Sequence, residues 1–171
     1  MIIRNANEND LPQLLEIYND IILNTTAVYQ YQAQSLDMRK EWFTTKRQQG
    51  FPVFVAEDAN GIVGFSTLGT FRNWQAYKYS VENSVYVASH SRGKGVGKLL
   101  MPPLIRAAIQ MEMHTVIASI DATNEASLHL HKNFGFEEVA HFKEVGYKFG
   151  RWLDLKFFQL MFKTPKLPLE E

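Results

Sequence analysis

The chain of 171 residues contains no cysteine. That absence removes a disulfide framework, a thiolate nucleophile and Cys-ligated zinc from consideration, and it fits a reducing compartment. The five histidines show no H-x-x-x-H or comparable spacing, so no metal site is expected. Neither sign of charge prevails, with 18 Lys and Arg against 18 Asp and Glu. A general attraction to nucleic acid or to anionic membrane is thereby excluded, and any anion site must be local. No eighteen apolar residues run together, and "MIIRNANEND" lacks the apolar core of a secretion signal. A soluble, cytoplasmic protein without membrane or nucleic-acid partners is the expectation. Repeats and low-complexity linkers are missing too.

What is present reads as one domain over residues 1–164 with a frayed tail at 165–171. "MIIRNAN" suggests a first strand. Leu11, Leu14, Leu15, Tyr18, Ile21 and Ile22 then recur at helical spacing, with Pro12 tolerated in the opening turn. "SLDMRKEWFTTKRQQ" suggests a second helix, capped by Ser35 and stopped by Gly50. "PVFVAED" and "IVGFSTLG" flank a tight turn, and "SVENSVYVA" is a further strand. A helix over 95–113 follows, bent by Pro102 and Pro103, then the strand "HTVIASI" and the helix "NEASLHLHKNFG". "FEEVAHF" and "WLDLKFFQLMF" close the chain as strands. The order β-α-α-β-β-β-α-β-α-β-β predicts an α/β (α+β) mixed sheet with one strand–helix–strand crossover.

The crossover carries the strongest signal. "SRGKGVGKLL", residues 91–100, sets Gly93, Gly95 and Gly97 among Arg92, Lys94 and Lys98 just before a helix. A loop passing from strand to helix offers free N–H groups, and the helix dipole favours an anion there. Glycines permit close approach and positive φ. Phosphate or pyrophosphate is the natural guest. A Walker loop would need glycine at 92 and Ser or Thr at 99, where Arg92 and Leu99 stand. The dinucleotide fingerprint fails at Lys98 or Leu100, although Asp121 mimics its ribose-binding acid.

The pattern R-x-x-G-x-G over Arg92, Gly93, Lys94, Gly95, Val96 and Gly97 resembles the pyrophosphate loop of the GNAT N-acetyltransferase superfamily. "SVYVA" stands where that family has its central strand, and "NEASLHLHKNFGF" resembles its second cofactor motif. "YNDIILNTTAVY", "VENSVYV" and "GYKFGRWLDLKFFQL" look like the phosphinothricin and methionine sulfoximine acetyltransferase branch. The resemblance implies a central, mostly antiparallel sheet flanked by helices, acetyl-CoA as cosubstrate, and a small amino acid as acceptor. A homodimer is implied as well. The alternatives are a peptide N-terminus or polyamine as acceptor, or a non-catalytic acyl-CoA-binding domain.

Acetyl transfer to an amine needs a base, because an ammonium with a pKa of about 8 to 10 has no lone pair. It also needs fixed donors for the developing oxyanion. Glu82 stands in an otherwise apolar strand, where it is either an exposed edge carboxylate or that base. By resemblance it matches the catalytic glutamate of the branch. Backbone N–H groups at Val85, Tyr86 and Val87 are the oxyanion and cofactor donors that the resemblance implies. His131 stands where many members have a tyrosine proposed to protonate the thiolate, and it is either that donor or a hydrogen-bonded, half-buried histidine. His129, two residues away, belongs to another helical face. Asn124 is a helix cap and, by resemblance, a cofactor contact, with Asn133 a further one. The resemblance makes 71–79 the substrate loop. Arg72 would pair with a carboxylate, Trp74 and Tyr77 would be walls with Tyr29, and Asn73, Asn83 and Ser84 would line the same site.

Overall fold

The computed structural model describes residues 1–170. In chain order they form β1 (Ile2–Asn5), α1 (Leu11–Asn24), α2 (Leu36–Gln48), β2 (Val53–Asp58), β3 (Gly61–Thr70), β4 (Ser80–Val87), α3 (Val96–Gln110), β5 (Thr115–Asp121), α4 (Glu125–Asn133), β6 (Glu137–Lys148) and β7 (Arg151–Met161). The strands make a seven-stranded mixed sheet ordered β1-β2-β3-β4-β5-β7-β6. The pairs β1–β2, β2–β3, β5–β7 and β6–β7 are antiparallel, whereas β4–β5 is parallel. That one parallel pair is the expected crossover, with α3 as its helix.

Local chemistry accounts for the element ends. Ser35 accepts from the Met38 N–H at 3.2 Å, which starts α2. Gly50, with φ of +73°, stops it. Pro12 falls in the opening turn of α1, where it breaks no helical hydrogen bond. α3 is shorter than the expected 95–113 and passes through Pro102 and Pro103 to Gln110. β6 is longer than expected, continuing past Phe142 to Lys148. A register shift between Phe142 and Gly146 hides it from a period-two reading. Glu144 there has φ of +54°, and its N–H donates to Asp154 at 2.9 Å.

The chain divides into two compact units. One comprises residues 1–67 and 84–104. Along its strands the side chains alternate between two apolar clusters. Val53, Val55, Phe65 and Tyr86 pack with Leu11, Leu14 and Ile17 of α1 and Phe43 of α2. Phe54, Ala56, Val85 and Val87 pack instead with Val96 and Leu100, one helical turn apart on α3. Arg4 fastens β1 to the start of α1 by forking onto Asp10 at 2.7 and 2.8 Å. The guanidinium holds the Asp10 carboxyl below its ordinary range.

The second unit comprises residues 68–83 and the described residues from 105 onward. Its spine is the β5–β7 ladder, from Thr115 opposite Met161 to Asp121 opposite Leu155. Phe158, Leu153, Ile120 and Leu128 are buried here. Hydrogen bonds hold the chain at residues 164 and 169. Thr164 donates to the Met113 carbonyl at 2.7 Å, and the Leu169 N–H donates to the Tyr79 hydroxyl at 2.9 Å.

One glycine in β3 is required by space. A Cβ on Gly64 would stand 2.8 Å from the Tyr86 carbonyl oxygen, 3.0 Å from Val96 Cγ1 and 3.2 Å from Leu100 Cδ1. Gly64→Ala should therefore destabilise the protein by about 1 to 3 kcal/mol, as overpacking does. A urea midpoint equal to that of the wild type would show that β4 and α3 yield freely at this point.

Candidate active site

β4 passes into α3 through locally bonded turns. The Ala88 N–H donates to the Val63 carbonyl and the Ser91 N–H to the Ala88 carbonyl, both at 2.9 Å. Gly93 and Gly95 then adopt φ of +75° and +82°, which any side chain resists. A Cβ at either position would meet nothing within 4 Å, so their exposed surface faces open space. Left-handed residues just before a helix line up free N–H groups in front of the positive end of its dipole. This arrangement fits a pyrophosphate. Gly97 is different, lying inside the first turn of α3 without a positive φ. Val96 is buried and anchors the turn, while Lys94 and Lys98 are exposed.

Arg92 is engaged within its own unit. Its Nε donates to the Val87 carbonyl at 3.3 Å, and its other end lies 3.5 Å from Asp20. The side chain thus braces the end of β4 against α1, which leaves anion binding to the backbone and the two lysines. Asp121, the mimic of a ribose-binding acid, is buried and accepts the Thr123 N–H at 2.8 Å. It closes a turn.

In the second unit Glu82 occupies the last of three β4–β5 rungs, opposite Ile117. It is half-buried, and its Oε1 accepts a hydrogen bond from the Ser119 hydroxyl. The next residue, Asn83, is buried, and its Nδ2 donates to His131 Nε2 at 3.0 Å. His131 Nδ1 lies 2.8 Å from the Ser127 carbonyl oxygen, which can only accept. The proton must therefore sit on Nδ1, and Nε2 is the acceptor for Asn83. Burial holds the ring below its ordinary pKa. Between the alternatives open for His131, this geometry favours the hydrogen-bonded one, since the neutral ring presents no free proton. Asn124 caps α4 by accepting the Ser127 N–H at 3.2 Å. Asn133 is exposed at the other end of that helix, about 13 Å along the axis. His129 is exposed.

The loop at 71–79 packs on itself. Trp74 stacks on Tyr77 with centroids 6.3 Å apart, and Phe71 meets Tyr77 edge-on at 5.7 Å. Arg72 lies over the Phe71 ring at 4.3 Å and donates to the Phe71 carbonyl. It is exposed and forms no ion pair with any described residue, so its charge is open to a carboxylate. Asn73 and Trp74 are exposed as well, and Ser84 is half-buried. Tyr29 is exposed in the other unit, in the segment between α1 and α2.

Two polar residues here escaped sequence reasoning. Ser119 is one; its only signal was a hydroxyl inside "HTVIASI". Arg39 is the other, fully buried, with its guanidinium over Tyr18 at 4.0 Å and Trp42 at 4.5 Å. It donates to Gln34 Oε1 at 2.7 Å. Gln34 in turn exchanges two hydrogen bonds with Asn19, so Arg39 fixes the far end of the segment that carries Tyr29. A cavity of about 730 Å³ beside Asn7, Phe43, Arg47 and Phe51 holds none of the candidate residues.

Residues 3–156 match the model of the acetyltransferase (GNAT) domain. The chain belongs to the GNAT acetyltransferase family. It is 44% identical to the L-methionine sulfoximine/L-methionine sulfone acetyltransferase of Pseudomonas aeruginosa, covering 92% of each chain. The crystal structure of a ribosomal-protein-alanine N-acetyltransferase from Brucella melitensis is 46% identical, with a TM-score of 0.93, over 95% of this chain and 100% of that one. A GNAT phosphinothricin acetyltransferase from Sinorhizobium meliloti, solved in complex with acetyl-CoA, is 34% identical with a TM-score of 0.93. The match covers 98% of this chain and 91% of that one. GNAT enzymes use acetyl-CoA, and the glycine loop described above has the form that such a cosubstrate needs.

The buried ring at 131 has a measurable consequence for this GNAT domain. Below about pH 6.5 an unfolded chain binds a proton at that histidine which the native ring resists. Stability therefore declines as pH falls through and below that value. Glutamine keeps a hydrogen-bonding side chain without the titration. The melting temperature of His131→Gln should fall less steeply than that of the wild type between about pH 7 and 5. Equal slopes would mean that His131 is not held neutral by burial.

Proposed function

We propose that the chain acetylates the α-amino group of a small free amino acid of the methionine sulfoximine, methionine sulfone or phosphinothricin type. The observation that carries this reading is Glu82. It is a half-buried carboxylate on the last β4–β5 rung, in the strand whose chain runs on toward the glycine loop. Acetyl-CoA, when bound, supplies an acetyl group activated as a thioester. Gly93, Lys94, Gly95, Val96, Gly97 and Lys98 hold its phosphates through backbone N–H groups and two lysine charges, with Arg92 bracing the loop. Backbone N–H groups at Val85, Tyr86 and Val87 face the acyl and pantetheine portion, with Asn124 and Asn133 as further contacts.

Glu82 takes the proton from the acceptor's nitrogen, and the freed lone pair attacks the thioester carbonyl carbon. The C–N bond forms, the C–S bond breaks, and CoA leaves as a thiolate that takes up the released proton. Proton removal by a placed base contributes about a hundredfold to ten-thousandfold. His131 acts through Asn83, holding its amide in place beside Glu82 and Ser84. Arg72 forks onto the acceptor carboxylate, while Trp74 and Tyr77 with Asn73 flank its side chain. A homodimer belongs to the same proposal. β6 ends the strand order and is exposed along most of its length, and Phe142, Tyr147, Phe149 and Trp152 present aromatic surface to a second copy.

A peptide N-terminus is the competing acceptor, favoured by the 46% identity to the Brucella melitensis enzyme. The two readings part at the carboxylate, which a peptide carries far from its reacting amine. Free methionine sulfoximine should be acetylated at least about tenfold faster than its amide or an alanine-initiated peptide, the loss expected for one charge-assisted pair. Arg72→Ala should erase that preference by raising the Michaelis constant for the free acid. Amides or peptides reacting as well as free acids would transfer the assignment to the peptide reading.

A further inference from the structure

Ser119 is the one residue of β5 that is not fully buried. It lies two positions beyond Ile117, the rung partner of Glu82, and so on the same face of the parallel ladder. Its neighbours on the strand, Ala118 and Ile120, are apolar and buried. A hydroxyl in such a strand needs a partner, and the partner here is Glu82 Oε1. The ionised carboxylate only accepts, so the hydroxyl hydrogen points at Oε1. One oxygen is thereby tethered, and the plane of the carboxylate is fixed with Oε2 left for proton transfer.

We infer that Ser119 is a positioning residue for acetyl transfer, clamping Oε1 of Glu82 so that Oε2 receives the amine proton. The inference rests on Glu82 being the base. An untethered glutamate samples several rotamers, of which few place an oxygen within hydrogen-bond reach of the incoming nitrogen. Misplacement of a reacting group by about 1 Å is enough to slow a reaction by up to about a hundredfold.

Steady-state kinetics on four variants tests this, with folding checked by circular dichroism. Glu82→Gln should lower kcat by at least about a hundredfold. Ser119→Ala should lower kcat about tenfold to a hundredfold and leave the Michaelis constant for acetyl-CoA unchanged, because the glycine loop is untouched. Ser119→Thr restores the hydroxyl and should recover most of the lost rate. In the Glu82→Gln background, Ser119→Ala should cost nothing more, since the clamp then has no base to aim. Wild-type turnover in Ser119→Ala beside a slow Glu82→Gln would overturn the clamp and leave the base in place. An additive loss in the double variant, or no recovery with threonine, would also overturn the clamp. A fast Glu82→Gln would remove the base itself, and the clamp with it.

Discussion

The carbonyl of Tyr86 and two α3 side chains, Val96 and Leu100, converge where a Cβ on Gly64 would stand. That missing side chain lets β3, the end of β4 and the first turn of α3 close on one another in a single apolar cluster. Because the strand and the helix are both pinned there, the intervening loop has fixed ends. Gly93 and Gly95 can then hold left-handed conformations without support from side chains. The anion cradle is thus a consequence of packing beneath it. Arg92 adds a brace by joining the Val87 carbonyl to Asp20.

Beside Glu82, buried polar groups are joined in sequence. Asn83, His131 and the Ser127 carbonyl form a chain in which each hydrogen has one direction. Protonating His131 would set a second N–H against the Asn83 donor, which acts with burial to keep the ring neutral, while the Ser127 carbonyl pulls weakly the other way. Glu82 is half-buried and is held by the Ser119 hydroxyl. With no net charge on the chain, the proposed attraction for a phosphorylated cosubstrate is local, from the loop amides and the exposed lysines at 94 and 98.

Much of this was legible before any coordinates. The strand–glycine–helix segment, the helix capped by Asn124 and the element order all follow from residue types at short range. Other features depend on partners distant in sequence. β6 reads as shorter than it is because the bulge that Asp154 satisfies breaks its alternation. Residues 164 and 169 are held by Met113 and Tyr79, far from them in sequence. Arg39 reads as one more charge in an amphipathic helix, since nothing local announces the rings of Tyr18 and Trp42. The tautomer of His131 depends on Asn83, 48 residues away.

In the proposed function β4 and the loop after it divide the cosubstrate between them, acyl and pantetheine to residues 85–87 and pyrophosphate to residues 93–98. Amide chemical shifts titrated with CoA and, separately, with pantetheine test it most directly, since pantetheine lacks the phosphates. Amides at 93–98 should move with CoA and stay still with pantetheine, whereas those at 85–87 should move with both. Loop amides that ignore CoA, or that answer pantetheine equally, would contradict the account.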